Sequence, residues 1–270
     1  MQEAIQKIQE LTGKKYIKLT QSGDHAIKHI IDLAANLQKD RIIIQDQGGW
    51  LTYKSYARKA GIIVLETKTD YGIIDIVDFE KKITGNSLAI VNSLTGYFAE
   101  QPMEIISQKC KEKNCLLIND ISGSVGMEAG KIGNILICSS GTYKPINLGY
   151  GGFIATNDEE LFTLIQGNIF DEKQLQGFLR EIERLSSRRE FFIKTSEKIK
   201  NDLKDFDIIH RESKGINVIV KFNSELEKKK IIKYCEENNY PYTLCPRYIR
   251  VLENAVSIEV KRLKALFPNS

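Results

Sequence analysis

The sequence predicts an α/β protein, with a mostly parallel sheet covered by helices on both faces and a small C-terminal α/β domain. Two observations predict it. Short continuous apolar runs, RIIIQ at 41–45, LAIV at 88–91 and CLLI at 115–118, are separated by amphipathic helical stretches. That is the pattern of strands buried on both faces of a parallel sheet. After about residue 160 the strand signals thin out into a long charged helical stretch, and strands return only beyond residue 214. The 270 residues suffice for one large domain and a small second one. The expected division is an N-terminal helix over 1–13, a large domain over 14–165, and a connecting helix with the small domain over 166–270.

In order, residues 2–11 read as a helix ended near Gly13, and Tyr16–Leu19 as a short extended run. Ser22-Gly23-Asp24 then opens a helix whose apolar residues, among them Ile27, Ile30, Ile31, Ala34 and Leu37, recur at helical spacing. Arg41–Gln45 is a strand, Tyr53–Ala60 a helix stopped by Gly61, and Ile62–Leu65 the next strand. Ile74–Lys82 holds a short helix with Asp75 or Asp78 near its start. Leu88–Val91 is a strand, Met103–Lys113 a helix and Cys115–Ile118 a strand ending at Asn119-Asp120. Ile135–Ile137 and Phe153–Ala155 are strands on either side of a glycine-rich loop. Glu159–Lys200 is largely helical. Gly215–Phe222 is a strand, Glu225–Asn238 a helix, Tyr248–Leu252 a strand and Ser257–Leu266 a last helix.

Composition excludes several classes of function. A net charge of +4 on this length is too weak to signal a nucleic-acid partner. The basic runs, Lys228–Lys230 and Arg188-Arg189, fall in Glu-rich helical stretches and read as solvated faces. The five cysteines form no C-x-x-C pair, and none of the three histidines stands at metal-site spacing from them, so no metal site is expected. A reducing, cytoplasmic setting follows from that cysteine usage. The opening MQEAIQKIQELTGKK is an acid-bearing amphipathic helix rather than a signal peptide, and no apolar run approaches the roughly 18 residues of a membrane span.

In parallel sheets ligands sit at the carboxyl ends of the strands, so the loops after those ends carry the candidate chemistry. Ser22-Gly23-Asp24-His25 stands at a helix N-terminus, where free N–H groups favour a phosphate; taken alone, the segment is better explained as an ordinary cap by Ser22 or Asp24. Trp50, the only tryptophan, lies in a glycine-rich loop and reads either as a stacking surface for an aromatic ligand or as packing. Asn92 and Ser93 end a strand in a turn-like segment. Asp120 ends an apolar strand directly, where a carboxylate needs a cationic or N–H partner. Lys144 lies between two strands in CSSGTYKPINLGYGGFIAT. An amine in a partly apolar pocket is expected to have a lowered pKa and to be a nucleophile suited to Schiff-base chemistry.

Taken together, these loops resemble pyridoxal-phosphate enzymes of fold type I, and the DegT/DnrJ/EryC1/StrS aminotransferase group in particular. AIQKIQELTGKKYIKLTQSGDHAIKHII is similar to the family's opening helix, strand and phosphate loop. KKITGNSLAIVNSLTGYFAEQPMEI is similar to its next strand and helix. LLINDISGSVG stands where the family has its aspartate segment, and CSSGTYKPINLGYGGFIATND where it has its lysine loop. The resemblance runs from about Ala4 to Asn168 and more loosely through the small domain.

The resemblance implies a Lys144 Schiff base with pyridoxal 5'-phosphate, and Asp120 pairing with the pyridinium nitrogen. Gly23, Asp24 and His25 would offer backbone N–H groups to the phosphate, with Ser139 as a further contact. Trp50 would stack on the ring, Asn92 or Ser93 would touch its O3′, and Ser122 would lie beside the cofactor. In CPRYIRVLEN, Arg250 would bind a substrate carboxylate, with Arg247 in reserve. A homodimer is implied as well. Asp24 stands where the family has Thr or Ser, Asn119 where it has Glu, and Ser122-Gly123 where it has Ala-Gln. The chain is also shorter than the group, with most of an N-terminal arm missing and the C-terminal part compressed. The expected reaction is therefore transamination from an amino acid to a carbonyl acceptor. The alternatives are a lyase or a β- or γ-replacement enzyme on the same cofactor, and a degenerate homologue acting as a binding or partner subunit. No G-x-G-x-x-G follows the first strand, which argues against a nicotinamide enzyme.

Overall fold

A computed structural model describes residues 2–165 and 172–263. Helix α1 (Gln2–Thr12) leads to strand β1 (Tyr16–Thr20), then α2 (Gly23–Asn36), β2 (Arg41–Gln45), α3 (Leu51–Lys59) and β3 (Ile63–Thr67). A short hairpin of β4 (Thr69–Asp70) and β5 (Ile73–Ile74) precedes α4 (Ile76–Lys82) and β6 (Ser87–Asn92). A second hairpin, β7 (Leu94–Thr95) and β8 (Ala99–Glu100), precedes α5 (Met103–Glu112) and β9 (Leu116–Asp120). Turns carry the chain to β10 (Ile135–Ser139), and β11 (Gly152–Thr156) returns beside it.

Seven of these strands form one sheet in the order β1-β11-β10-β9-β6-β2-β3. The five from β10 to β3 are mutually parallel, while β11 runs antiparallel to both its neighbours. The continuous apolar runs have a simple cause. Side chains alternate across a strand, and both faces are covered. Ile42, Ile44, Ile90, Ile118 and Ile137 pack with the buried face of α2, including Ile27, Ile30 and Ala34. Ile43, Ala89, Val91 and Leu117 pack on the opposite face with Phe79, Met103 and Ile106. Each fully buried aliphatic side chain stabilises the fold by about 1.5–3 kcal/mol.

Register brings the strand ends together. Asn92 pairs with Asp120, Asp120 with Ile137, and Ser139 with Gly152, which also pairs with Thr20 at the end of β1. The carboxyl ends of β1, β6, β9 and β10 thus meet at one edge, where the loops after them converge.

Beyond the large sheet, α6 (Glu159–Leu164), α7 (Glu172–Glu183) and α8 (Leu185–Asp202) replace the single helical stretch expected over Glu159–Lys200. Strand β12 (Val218–Lys221), helix α9 (Glu225–Glu237), β13 (Tyr242–Leu244) and β14 (Ala255–Ile258) follow. The three strands form an antiparallel sheet in the order β12-β14-β13. Two expectations fail here. Tyr248–Leu252 is no strand, because the Arg247 amide bonds to the Val251 carbonyl and the Arg250 amide to Arg247, folding the segment into a turn. The helix expected over Ser257–Leu266 begins instead as the central strand β14, whose Val256 and Ile258 are buried in the small core, and then makes a 3-10 turn over Val260–Arg262. The rest of that expected helix, beyond residue 263, lies outside the described residues, as does the last part of the resemblance around Asn168. No helix among the described residues is long and apolar enough to cross a membrane.

Candidate active site

Five loops build one cleft at the carboxyl edge of the large sheet. It is lined by Ser22, Gly23, Asp24, Ile27, Trp50, Asn92, Tyr97, Asp120, Ser122, Ile137, Cys138, Ser139 and Lys144. The structure therefore brings together eight of the ten residues that the sequence singles out. His25 and Arg250 are not among the lining residues.

The first wall is the start of α2. Ser22 caps the helix, its hydroxyl accepting the His25 amide at 3.2 Å, so that amide is committed to the cap and the phosphate contact expected of His25 is not available from it. Gly23 and Asp24 sit in the first turn, where amides have no intrahelical acceptor and the helix dipole favours an anion. Gly23 is needed there for close approach. A Cβ on it would stand 2.5 Å from the Ser139 Cβ, so a side chain would force the two loops apart. The Asp24 carboxylate accepts hydrogen bonds from Trp50 Nε1 at 2.8 Å and Thr52 Oγ1 at 3.0 Å. Those bonds fix the Trp50 ring at the cleft wall and give the carboxylate a role on the α3 side.

At the floor, Asp120 is buried at the end of β9. Its Oδ1 accepts the Ser122 amide at 2.9 Å, and its Oδ2 accepts the Tyr53 hydroxyl. Burial and then the Asp120 charge push the Tyr53 phenol well above its ordinary pKa, so it stays a donor. The Ser122 hydroxyl in turn accepts the Ser139 amide at 2.9 Å, tying the β9 and β10 loops together. Asn92 stands beside them, its Oδ1 accepting the Leu94 amide at 3.2 Å.

Lys144 reaches in from the β10–β11 loop. Its Nζ donates to the Tyr97 hydroxyl and lies 4.9 Å from the centroids of both the Trp50 and Tyr97 rings. The sequence led us to expect a lowered pKa here, and the direction is the opposite. Burial does disfavour the ammonium, but Tyr97 and the Asp120 carboxylate favour it more, and the net shift is upward. The amine is thus held charged and becomes a nucleophile only when it gives up a proton.

Sequence reasoning missed two residues. Tyr53 follows Trp50 by one helical turn, but helical spacing alone reads it as core. Tyr97 sits in the β7–β8 turn with φ +70°, and Tyr143, next to Lys144, has φ +61°. Such left-handed backbone is costly for residues other than glycine and tends to mark functional loops. A three-letter turn such as Thr95-Gly96-Tyr97 carries no sign of this.

Arg250 is the clearest departure. Its guanidinium is buried, with Nε donating to Glu259 Oε1 at 2.8 Å and a terminal nitrogen to Oε2 at 2.6 Å. Another terminal nitrogen donates to the Ile249 carbonyl. The arginine expected to hold a substrate carboxylate already holds a protein carboxylate. Burial alone would raise the Glu259 carboxyl, but the hydrogen bonds and charge of Arg250 outweigh it and hold the pKa at about 2. We expect Glu259→Gln to cost about 3–5 kcal/mol at neutral pH, because it leaves Arg250 buried without its counter-charge. Glu259 is depressed in the folded state, so its contribution is full above the ordinary carboxylate range and fades as pH falls towards 2. Urea unfolding of both proteins at neutral and acid pH checks this, and an equal gap at both values would refute it.

Comparison with known proteins gives two family matches. The model described as the DegT/DnrJ/EryC1/StrS aminotransferase family matches residues 2–208, and the one described as the MJ1341 family C-terminal domain matches residues 188–267. No curated protein matches by sequence. Among solved structures, the fold is similar to Helicobacter pylori PseC, an aminotransferase involved in the biosynthesis of pseudoaminic acid. The identity is 16% over 96% of this chain and 85% of that one, with a TM-score of 0.76. A DegT DnrJ EryC1 StrS aminotransferase from Brucella abortus also has 16% identity, over 96% of this chain and 84% of that one, at TM-score 0.76. E. coli GDP-4-keto-6-deoxy-D-mannose-3-dehydratase with bound hydrated PLP matches at 16% identity over 95% and 86%, with TM-score 0.74. At such identities the likeness to the solved structures establishes a shared fold.

Proposed function

This chain belongs to the DegT/DnrJ/EryC1/StrS aminotransferase family, and from that premise we propose that it is a pyridoxal-phosphate enzyme moving an amino group from an amino acid to a carbonyl acceptor. One observation carries the reading: Lys144, Asp120, Trp50 and the N-terminus of α2 come from separate loops and line the same cleft. The residues fit the cofactor. An amine is available to hold an aldehyde, a buried carboxylate to balance the charge of a ring nitrogen, and an indole ring, its centroid 4.9 Å from that amine, to pack on the ring. The Gly23–Ser139 approach leaves first-turn amides beside a serine for the phosphate.

When bound, pyridoxal phosphate supplies an aldehyde that captures amines and a ring that accepts an electron pair. The chain's own residues do the rest. Lys144 Nζ would hold the aldehyde carbon, and once released by the amino donor it would take the substrate Cα proton and return it elsewhere. Tyr97 positions that nitrogen through its hydroxyl. Asp120 would hold the ring nitrogen in its protonated form, with its own carboxylate aimed by Ser122 and Tyr53. Trp50, braced by Asp24, would pack on the ring, and Asn92 would meet its O3′ side. Gly23 and Asp24 amides, with Ser139 and Ser122, would receive the phosphate end. A homodimer and a cytoplasmic location belong to the same proposal.

The test is reconstitution followed by borohydride reduction and peptide mapping. The expected result is a near-visible absorbance band and a reduced cofactor adduct on Lys144. Without acceptor, the right amino acid should yield keto acid only to the stoichiometry of bound cofactor. A lyase would run past that point and release ammonia. No adduct, or an adduct only on other lysines, would refute the proposal.

A further inference from the structure

The amino ends of the parallel strands carry chemistry that the cleft at their carboxyl ends does not use. A second cavity, of about 560 Å³, lies there. Its wall includes Lys39 shortly before β2, Cys115 just before β9 and Asn134 just before β10. Cys110 and Lys111, from the last turn of α5, line it as well. Among the described residues no carboxylate does.

The way α5 ends brings the two cysteines together. Asn114 takes left-handed backbone at φ +53°. Its amide donates to the Lys111 carbonyl at 3.2 Å, and the Cys115 amide donates to the Cys110 carbonyl at 2.8 Å. Those two bonds make a Schellman ending, in which the residues at either end of the longer bond turn their side chains towards each other, commonly as an apolar contact. Here both are cysteines, and both are free thiols. Cys115 is 5% exposed and Cys110 1%. A reagent in the cavity therefore meets Cys115 first, and Cys110 has only to reach its neighbour. The thiolate is the reactive form of a cysteine. Hydrogen bonding from the Cys110 thiol holds the Cys115 pKa below that of an ordinary cysteine. The Ser87 hydroxyl, donating to Cys115 Sγ at 3.2 Å, and the charge of Lys39 add to this against burial. The same contact, with burial, pushes the Cys110 thiol up. One sulfur is prepared to attack, and the other keeps its proton until the first has reacted.

We propose that Cys115 and Cys110 form a thiol–disulfide exchange site, separate from the cleft, for a small disulfide that bears carboxylates. Lys39 and Lys111 give the cavity the positive charge that such a molecule needs. The Cys115 thiolate attacks one sulfur of the small disulfide, whose S–S bond breaks, and the other half leaves as a thiolate. Cys110 then loses its proton and attacks the Cys115 sulfur, which forms the protein disulfide and expels the first half. The protons of the two protein thiols pass through water to the two leaving thiolates. Two protein thiols are oxidised and one small disulfide is reduced to two thiols, so the exchange balances with no other oxidant.

The probe is glutathione disulfide, applied to the full chain. The reaction is stopped by alkylation in denaturant, and peptide mapping reads all five cysteines. In the wild type we expect Cys110 joined to Cys115, with Cys138, Cys235 and Cys245 alkylated. Cys115 should react at least about tenfold faster than any of those three. Cys110→Ser keeps a hydroxyl donor beside Cys115 but removes the second sulfur, so Cys115 should retain one glutathionyl group. Cys115→Ser should leave Cys110 unmodified. Lys39 also favours the thiolate, so Lys111 is the residue that isolates ligand charge. Lys111→Gln should slow exchange with glutathione disulfide about threefold at low ionic strength, and exchange with the cationic disulfide cystamine not at all. Absence of the Cys110–Cys115 link in the wild type would overturn the proposal, as would first reaction at another cysteine or modification of Cys110 in Cys115→Ser. Equal rates in Lys111→Gln and wild type, or equal slowing with both probes, would overturn the preference for carboxylates. The wild-type map needs no substitution, so a variant that fails to fold leaves the central test in place.

Discussion

Replacing Lys144 with alanine is expected to lower turnover by at least about 10⁴-fold, while the fold and noncovalent cofactor uptake survive. The scale follows from the lysine's two tasks. Its Nζ is both the group that would hold the aldehyde and the group that would move the substrate proton, and among the described residues no other amine lines the cleft. Stability should change little, because among the described residues the side chain makes a single hydrogen bond, to the Tyr97 hydroxyl, and belongs to none of the apolar cores. Lys144→Arg is the sharper control. It keeps a positive charge facing Tyr97 and Asp120 but cannot give up a proton near neutrality, so it should be as inactive as alanine. A small primary amine added to Lys144→Ala should restore part of the proton transfer. Covalent capture of the cofactor by the wild type should also quicken as pH rises, because the Lys144 pKa is raised and the neutral amine is the reactive form. Steady-state rates and absorbance on the three proteins decide the matter. Lys144→Ala within about tenfold of wild type would remove this lysine from the mechanism.

Much of this site was legible in the sequence because parallel sheets deliver chemistry to strand ends. A carboxylate directly after LLIN and a lysine between two short strands are conspicuous in one dimension, and the sheet's register then makes them neighbours. What could not be read is whatever depends on a side chain's partner. Arg250 looks like a free arginine until Glu259, nine residues on, is seen to hold it. The lowered pKa expected of Lys144 assumed an apolar pocket, whereas Tyr97 and Asp120 make the pocket favour charge. Tyr97 itself was invisible because left-handed backbone on a tyrosine has no sequence signature. The small domain misled for a related reason. VSIEVKRL has helical spacing as well as strand alternation, and only the pairing of β14 between β12 and β13 decides for the strand.

The second large effect is expected at Asp120. Asp120→Asn should reduce turnover on the order of 10²–10³-fold, the range for losing one preorganised electrostatic contact in a buried site, yet retain covalent attachment at Lys144. The substitution is close to isosteric. The amide oxygen can still accept from Ser122, and the amide nitrogen can donate to Tyr53, so the β9 loop and the cleft should keep their shape. What is lost is the negative charge in a buried setting, where water cannot replace it and where it would keep the cofactor's ring nitrogen protonated. Tyr53→Phe isolates the aiming of that charge. It leaves the carboxylate but removes the hydroxyl on Oδ2, so a smaller loss, about tenfold, is expected. The two changes should be less than additive when combined, since Tyr53 acts through Asp120. Rates of keto acid formation in the absence of acceptor, with cofactor occupancy measured in parallel, give the comparison. Full additivity would show that Tyr53 acts on something else. An Asp120→Asn enzyme with wild-type rates would mean that the ring nitrogen finds its counter-charge elsewhere in the cleft.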